Sequence, residues 1–253
     1  NAVDEDNLEN EDMESVLDDC LAINMPQRHL TWHYRSKHES LIAFSNATYY
    51  ENRLCTFPSP DALNSKVRFV LAEAGTYDRG LTKKNKAEGD ALVDEVIRRL
   101  TDPTLKRSSM GIVTFSNVQK DYIERRLSAA IAEKRLEREA YEREEPVFVK
   151  NLENVQGDER DVILFSVCYG PDRLGRISLN FGPLNQAGGW RRLNVAVSRA
   201  REEMVVFASM TGAMIDLSKT NSKGVAGLKA FLDFAEKGRT NLAISSNDLV
   251  AKK

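Results

Sequence analysis

What this sequence has little of narrows it first. In 253 residues no apolar run approaches the roughly 20 that a membrane-spanning helix needs. The N-terminus has neither the basic region nor the apolar region of a secretory leader. A spanning helix is therefore excluded, and a cytosolic, hence cytoplasmic, chain is expected. The three cysteines, Cys20, Cys55 and Cys168, are odd in number, far apart and without ligand-like spacing. Neither a disulfide framework nor a zinc site is implied, and they read as reduced, structural thiols. Lys and Arg are missing from the first 20 residues, which hold nine of the 38 acids, so 36 bases face 29 acids in the remainder, a charge of +7. An acidic leader on a mildly basic body suits a nucleic-acid partner, because phosphate contacts need cations. It equally suits a solvated leader with ordinary surface charge. The chain opens on Asn1-Ala2 rather than Met, as expected of a piece excised from a longer protein.

What is present is a globular composition, 42% apolar and 29% charged, enough for one domain or two small ones and against a fibrous or wholly disordered chain. After a leader expected to be mobile to about Glu14, Val16, Leu17, Cys20 and Leu21 fall on one face of a short helix. Leu41, Ile42, Phe44 and Tyr49 predict a helix within 30–50, closed off by Phe57-Pro58-Ser59-Pro60. From there strands alternate with helices. Strands are predicted at 66–72, 111–115, 147–150, 161–167 and 204–208. Helices are predicted at 86–100, from Asn117 towards Glu145, from Trp190 to Arg201, and from Ser222 to Lys237, with a loose tail after Gly238. The charged run from Glu124 to Glu145 reads as a solvated helix with a thin stripe of Leu127, Ile131 and Leu136 rather than a nucleic-acid arm. Alternation of this kind means a largely parallel sheet covered on both faces.

Ligands of open parallel sheets bind at strand ends, so three polar stretches beside strands or helices draw notice. Leu30-Thr-Trp-His-Tyr-Arg-Ser36 packs aromatic and cationic groups ahead of a helix, and an Arg beside a Tyr suits a phosphate and a planar base. His33 and His38 are five apart and share no helical face, which argues against a metal. Asn154-Val-Gln-Gly-Asp-Glu-Arg-Asp161 precedes a strand and reads either as a recognition turn, with Gly157 permitting close backbone approach, or as a plain acidic turn capped by Asp161. Arg191-Arg-Leu-Asn-Val-Ala-Val-Ser-Arg-Ala-Arg201 reads as a helix with Leu193, Val195 and Val197 on the sheet and Arg192, Asn194, Ser198, Arg199 and Arg201 exposed. Such a helix is an anion site or an ordinary amphipathic helix with surface arginines.

Together the motifs H-Y-R-S ahead of L-I-x-F-S-N-x-x-Y-Y, then G-I-V-T-F, V-Q-G-D-E-R-D-V-I and R-R-L-N-V-A-V-S-R-A-R resemble, in wording and order, the C-terminal half of superfamily 1 helicases. The branch is the one containing the nonsense-mediated-decay RNA helicase and its bacterial relatives. The resemblance runs from about Leu17 to Ser209. It implies a RecA-like, P-loop NTPase-type parallel sheet flanked by helices, the second of two domains that bind ATP between them and nucleic acid across their tops. It divides the chain into an acidic leader (1–16), the second RecA-like domain (17–212) and a C-terminal helix with tail (213–253).

The same resemblance implies that Arg35 and Arg199 approach the γ-phosphate as catalytic residues and that Tyr34 lies near the nucleotide. It implies that Gln156 and Gly157 couple nucleotide to nucleic acid and that Glu159 contacts the ribose. Thr114, Ser116 and Asn117 fall where relatives touch the nucleic-acid backbone, as, more weakly, do Lys150 and Asn151. Ser198 stands where relatives often have Thr and keeps the hydroxyl. The chain has no G-x-x-x-x-G-K-[ST] loop and no D-E metal-binding strand end, so ATP and Mg are expected to be held mainly by a first RecA-like domain elsewhere in the parent chain. No metal site is expected here. The expected partners are that domain and a single strand, DNA favoured over RNA, with no membrane. The rivals are a nucleic-acid-binding module without ATPase partnership and a non-enzymatic interaction domain.

Overall fold

In the computed structural model the described residues are 16–61 and 64–238. The expected leader to Glu14 and the tail beyond Gly238 lie outside them. Five strands, Val67–Leu71 (β1), Met110–Thr114 (β2), Phe148–Asn151 (β3), Arg160–Ser166 (β4) and Ala200–Ala208 (β5), form one all-parallel sheet in the order β1-β5-β4-β2-β3. The central strands read as nearly continuous apolar runs because both of their faces are covered. Period-two alternation splits them: Val162 and Leu164 of β4, with Val205 and Phe207 of β5, face one cluster. Ile163 and Phe165, with Met204, Val206 and Ala208, face the other. Gly111 of β2 lies where a Cβ would run into the Phe148 ring of β3. This is the α/β sheet that the RecA-like expectation requires.

Helices Lys86–Thr101 (α3) and Asn117–Lys134 (α4) cover one face with Leu92, Val96 and Ile97 and with Ile123, Leu127 and Ile131, all buried at helical spacing. The opposite face takes Ser40–Tyr49 (α2), Gly189–Val197 (α6) and Lys223–Lys237 (α7). There Phe231 of α7 lies 5.3 Å from Phe44 and 5.9 Å from Phe165, ring centre to ring centre. Truncating such a ring to alanine costs about 3–5 kcal/mol. Ser222 caps α7 by accepting the Val225 N–H. The chain crosses towards β3 by way of α3 and α4, and returns towards β1 by way of α6 on the other face, as one crossover hand demands when direction reverses. The reversal is made without a helix. Residues 152–159 carry the chain from β3 past β2 to β4, anchored by buried Leu152 and Val155.

The unit Trp32–Lys253 holds this sheet, and Asn1–Thr31 forms a second unit. In that second unit Val16–Ala22 (α1) is helical as expected, with Val16, Leu17 and Leu21 exposed. Among the described residues no helix is long and apolar enough to cross a membrane.

Three sequence expectations need correction. The helix within 30–50 is confined to α2, because the segment before it spends its polar groups on β5. Ser36 Oγ donates to Ala200 O (3.0 Å) and the Lys37 N–H to Arg201 O (2.8 Å). The charged helix towards Glu145 breaks at Arg135, which takes a left-handed φ of 56° and caps α4, and Glu137–Tyr141 (α5) follows. The helix from Trp190 stops at Val197, so Arg199 lies in a turn and Arg201 within β5. Its buried side is Leu193, Ala196 and Val197. Val195 is only half-buried, since a 3.6-residue period does not align it with 193 and 197.

Candidate functional site

The amino ends of β4 and β5 gather the charged residues. The turn from His33 to Ser36 is fastened to β5 by the two bonds above and to itself by the Ser36 N–H, which donates to His33 Nε2 (3.2 Å). Burial first, then Arg35 and Arg199, push the His33 pKa down to about 4, so the ring is neutral at pH 7 and free to accept that bond. This turn aims Arg35 along the rim, where its Nε donates to Glu159 Oε2 (2.6 Å) and a terminal nitrogen to Ser198 O (3.3 Å).

Arg199 follows the end of α6 and bonds its own turn, donating to Val195 O (2.8 Å) and Ser198 Oγ (3.2 Å). A cation at a helix C-terminus satisfies carbonyls that lack a helical partner. Burial and then the neighbouring Arg35 guanidinium lower the Arg199 pKa, against the pull of Glu159. Two guanidiniums thus repel each other across one small surface, an arrangement that an anion would relieve. Tyr34 stands beside them, 81% exposed. Arg35, Arg199 and Glu159, singled out separately in sequence, are brought together.

Beneath this pair lies a hub that sequence reasoning missed. Arg201, expected on an exposed helix face, points from β5 into acids. It donates to Asp161 Oδ1 (2.9 Å), Glu145 Oε1 (2.9 Å) and Ser109 Oγ (3.0 Å), and its guanidinium lies 3.6 Å from Glu159 Oε1. Asp161 is therefore no turn cap. Burial disfavours its charge, but the Ser109 N–H and Arg201 outweigh this and hold its pKa below the ordinary carboxylate value. Glu145 is lowered by Arg201, and Arg201 is raised by Glu145 and Asp161. Glu159 joins this hub to Arg35. The available signal was the Arg-Glu-Glu run of 201–203 entering Met204-Val-Val-Phe, which alternation extends back as strand.

The other predicted residues lie at the opposite end of the sheet. Thr114 ends β2, is buried and donates its hydroxyl to Ser116 O (2.9 Å). Asn151 ends β3, is buried, and donates from Nδ2 to Asn117 Oδ1 (2.6 Å) while its Oδ1 accepts the Asn154 N–H (2.9 Å). These two shape the rim, where Asn117 is exposed and Ser116 half-buried. Lys150 pairs with Asp158 (2.7 Å) and lies over the Phe148 ring. Exposed Gln156 and Gly157 sit on the crossover between the two rims. Gly157 has φ +90° with open space where a Cβ would be, so glycine is needed there for its backbone.

Known proteins are similar to this sequence. Residues 11–211 match the family described as AAA domain. An uncharacterized ATP-dependent helicase, MG140, of Mycoplasma genitalium is 34% identical over 82% of this chain and 18% of its own length. The DNA replication ATP-dependent helicase/nuclease dna2 of Schizosaccharomyces pombe is 22% identical over 90% of this chain and 13% of its own. A probable RNA helicase, armi, of Drosophila melanogaster is 39% identical over 24% of this chain and 5% of its own. The chain thus spans under a fifth of the length of the relatives it matches. By this family match, and by motifs that hold their order along the sheet, the chain belongs to the AAA domain family as a helicase domain of the superfamily 1 kind.

Proposed function

We propose that this chain is the second RecA-like motor domain of an ATP-dependent helicase or translocase, supplying arginine fingers to ATP and part of the surface that grips a single strand. The observation that carries the reading is the convergence of Arg35 and Arg199 at one rim, two cations held side by side. Guanidiniums placed so can meet the oxygens of a γ-phosphate, where phosphoryl transfer gathers negative charge. Tyr34 offers an exposed ring to a nucleobase, and Glu159 an acceptor for a ribose hydroxyl. ATP reaching this rim would supply the phosphoryl group, and Mg would neutralise its charge. The residues present fit the outer side of the triphosphate and offer no loop to cradle it, so ATP and Mg are held mainly by a first RecA-like domain.

At the other rim Ser116 and Asn117, shaped by Thr114 and Asn151 and flanked by Lys150, would bond a phosphate backbone. Gln156 and Gly157 ride the crossover that runs from the strand-contact rim to the arginine rim, which suits a coupling role. The strand is proposed to be single-stranded DNA, in line with the DNA replication helicase among the relatives, with RNA the alternative that the RNA helicase among them raises.

The decisive variant is Arg199→Ala in a longer protein that contains this chain together with its ATP-binding partner domain. Strand-stimulated phosphate release should fall by roughly 10³-fold or more, as for other arginine fingers, with the thermal transition unchanged. Near-normal turnover would show that Arg199 is a surface residue. The chain by itself should release no phosphate from ATP.

A further inference from the structure

One buried acid belongs to neither rim's expected set. Glu88, in the first turn of α3, is fully buried. A capping box would turn it back to the Asn85 N–H. That N–H goes instead to Gln119 Oε1 (3.1 Å), and Glu88 turns into the carboxyl end of the sheet. Its Oε1 accepts the Ser166 hydroxyl (2.6 Å) and the Cys168 N–H (2.7 Å), and its Oε2 faces Asn85 Nδ2 (3.3 Å). Asn85 Nδ2 also donates to Ser209 Oγ (2.6 Å), and Gln119 Nε2 to Asn85 O (2.9 Å) and Ser166 Oγ (3.2 Å). One carboxyl therefore ties α3 and α4 to the ends of β4 and β5. Burial outweighs these donors and pushes its pKa up to about 8.

The residues Glu88 holds are those that hold the link from β2 into the first turn of α4, where Asn117 is exposed. Ser166 O accepts the Phe115 N–H (3.2 Å), and Ser166 Oγ accepts from Gln119 Nε2 (3.2 Å). Cys168 keeps a left-handed φ of 69°, rare for a residue with a side chain, while its N–H bonds Glu88. Gln119 fastens the same link from its far side. From Phe115 to Gln119 the chain is pinned at two points, its two ends, and both paths return to Glu88 through Ser166 and Asn85.

We propose that Glu88 is a positioning residue for strand contact: through Ser166, Asn85 and Gln119 it sets the 115–119 segment so that Ser116 and Asn117 present hydrogen-bonding groups to a phosphodiester backbone. This rests on reading those two residues as strand contacts. The substitution Glu88→Met keeps the volume and removes the acceptors, whereas Glu88→Gln keeps one acceptor oxygen. Binding is read by fluorescence anisotropy of a labelled single-stranded oligonucleotide, and the grip on the segment by hydrogen exchange of the Phe115 to Gln119 amides.

Glu88→Met should bind about tenfold more weakly, the scale of buried donors losing their acceptor, and Glu88→Gln should stay within about threefold of wild type. Those amides should exchange faster in Glu88→Met alone. If wild type does not bind, or Ser116→Ala with Asn117→Ala binds as wild type does, the strand-contact reading fails, and exchange still decides whether Glu88 holds the segment. If that double variant binds weakly while Glu88→Met binds normally with unchanged exchange, the inference about Glu88 alone is overturned. Should Glu88→Met fail to fold, Ser166→Ala takes its place, with about a threefold loss expected from one removed hydroxyl. Unchanged binding and exchange in it overturn the inference equally.

Discussion

The two ends of this sheet solve opposite problems with polar groups. At the amino end Arg35, Arg199 and Glu159 are charged and partly open to water above the Arg201 hub. At the carboxyl end Glu88, Asn85, Gln119 and Ser166 are sealed from it. Charges left at a wet rim can exchange partners cheaply, since an exposed ion pair is worth about 0–1 kcal/mol. A sealed network cannot: each donor that loses its acceptor costs about 1–3 kcal/mol. The Arg35–Glu159 pair can thus change partners at little cost, whereas the carboxyl rim keeps its shape.

Breaking the hub below the amino rim should have the largest effect on stability. Arg201→Ala leaves Asp161 and Glu145, both largely shielded, without their cation, and should lower unfolding free energy by about 2–4 kcal/mol, read as a fall in urea midpoint. A loss below about 1 kcal/mol would place the hub with ordinary surface pairs and erase the contrast with the wet pair above it.

The next effect concerns pH. Glu88 has its folded pKa raised from 4.5 to about 8, so the unfolded chain loses this proton first and stability drains away as pH rises through that window. His33 has its folded pKa lowered from 6.5 to about 4, so the unfolded chain gains the proton first and stability is lost as pH falls through that window. The two rims therefore tilt the stability profile in opposite senses. Urea midpoints measured from about pH 5 to pH 8 should show the alkaline decline in wild type and its loss in Glu88→Gln. A decline that survives the substitution would show that the sealed acid does not hold its proton.

The smallest effect should come from Glu159→Gln. Its pair with Arg35 is 39% exposed on the acid's side, and stability should change by less than about 1 kcal/mol. A larger loss would mean that the amino rim is as rigid as the carboxyl one.

Much of this was legible in order along the chain. Leu92, Val93, Val96, Ile97 and Leu100 announced α3, and Val225, Leu228, Phe231 and Leu232 announced α7, because burial on one side imposes a helical period. Legibility stopped where a partner is remote. Arg35 meets Glu159 across 124 positions and Ser198 across 163, and nothing in the local pattern reports such a meeting. Arg201 was assigned to a helix because Ala200 can continue one. Pairing of Arg160 with Ala200 makes it strand.

The sequence by itself determined the alternation of strands and helices, which face of each was apolar, and which arginines and polar turns were to be watched. Those are matters of local period and residue chemistry. Tertiary structure decided that the watched residues divide between two ends of the sheet, since strand order β1-β5-β4-β2-β3 is set by pairing between segments far apart in sequence. It also decided that Thr114, Asn151 and Glu88 lie inside rather than at the surface. A polar side chain is buried only when its hydrogen-bond partners are supplied by other elements, and those partners exist only once the sheet has closed around them.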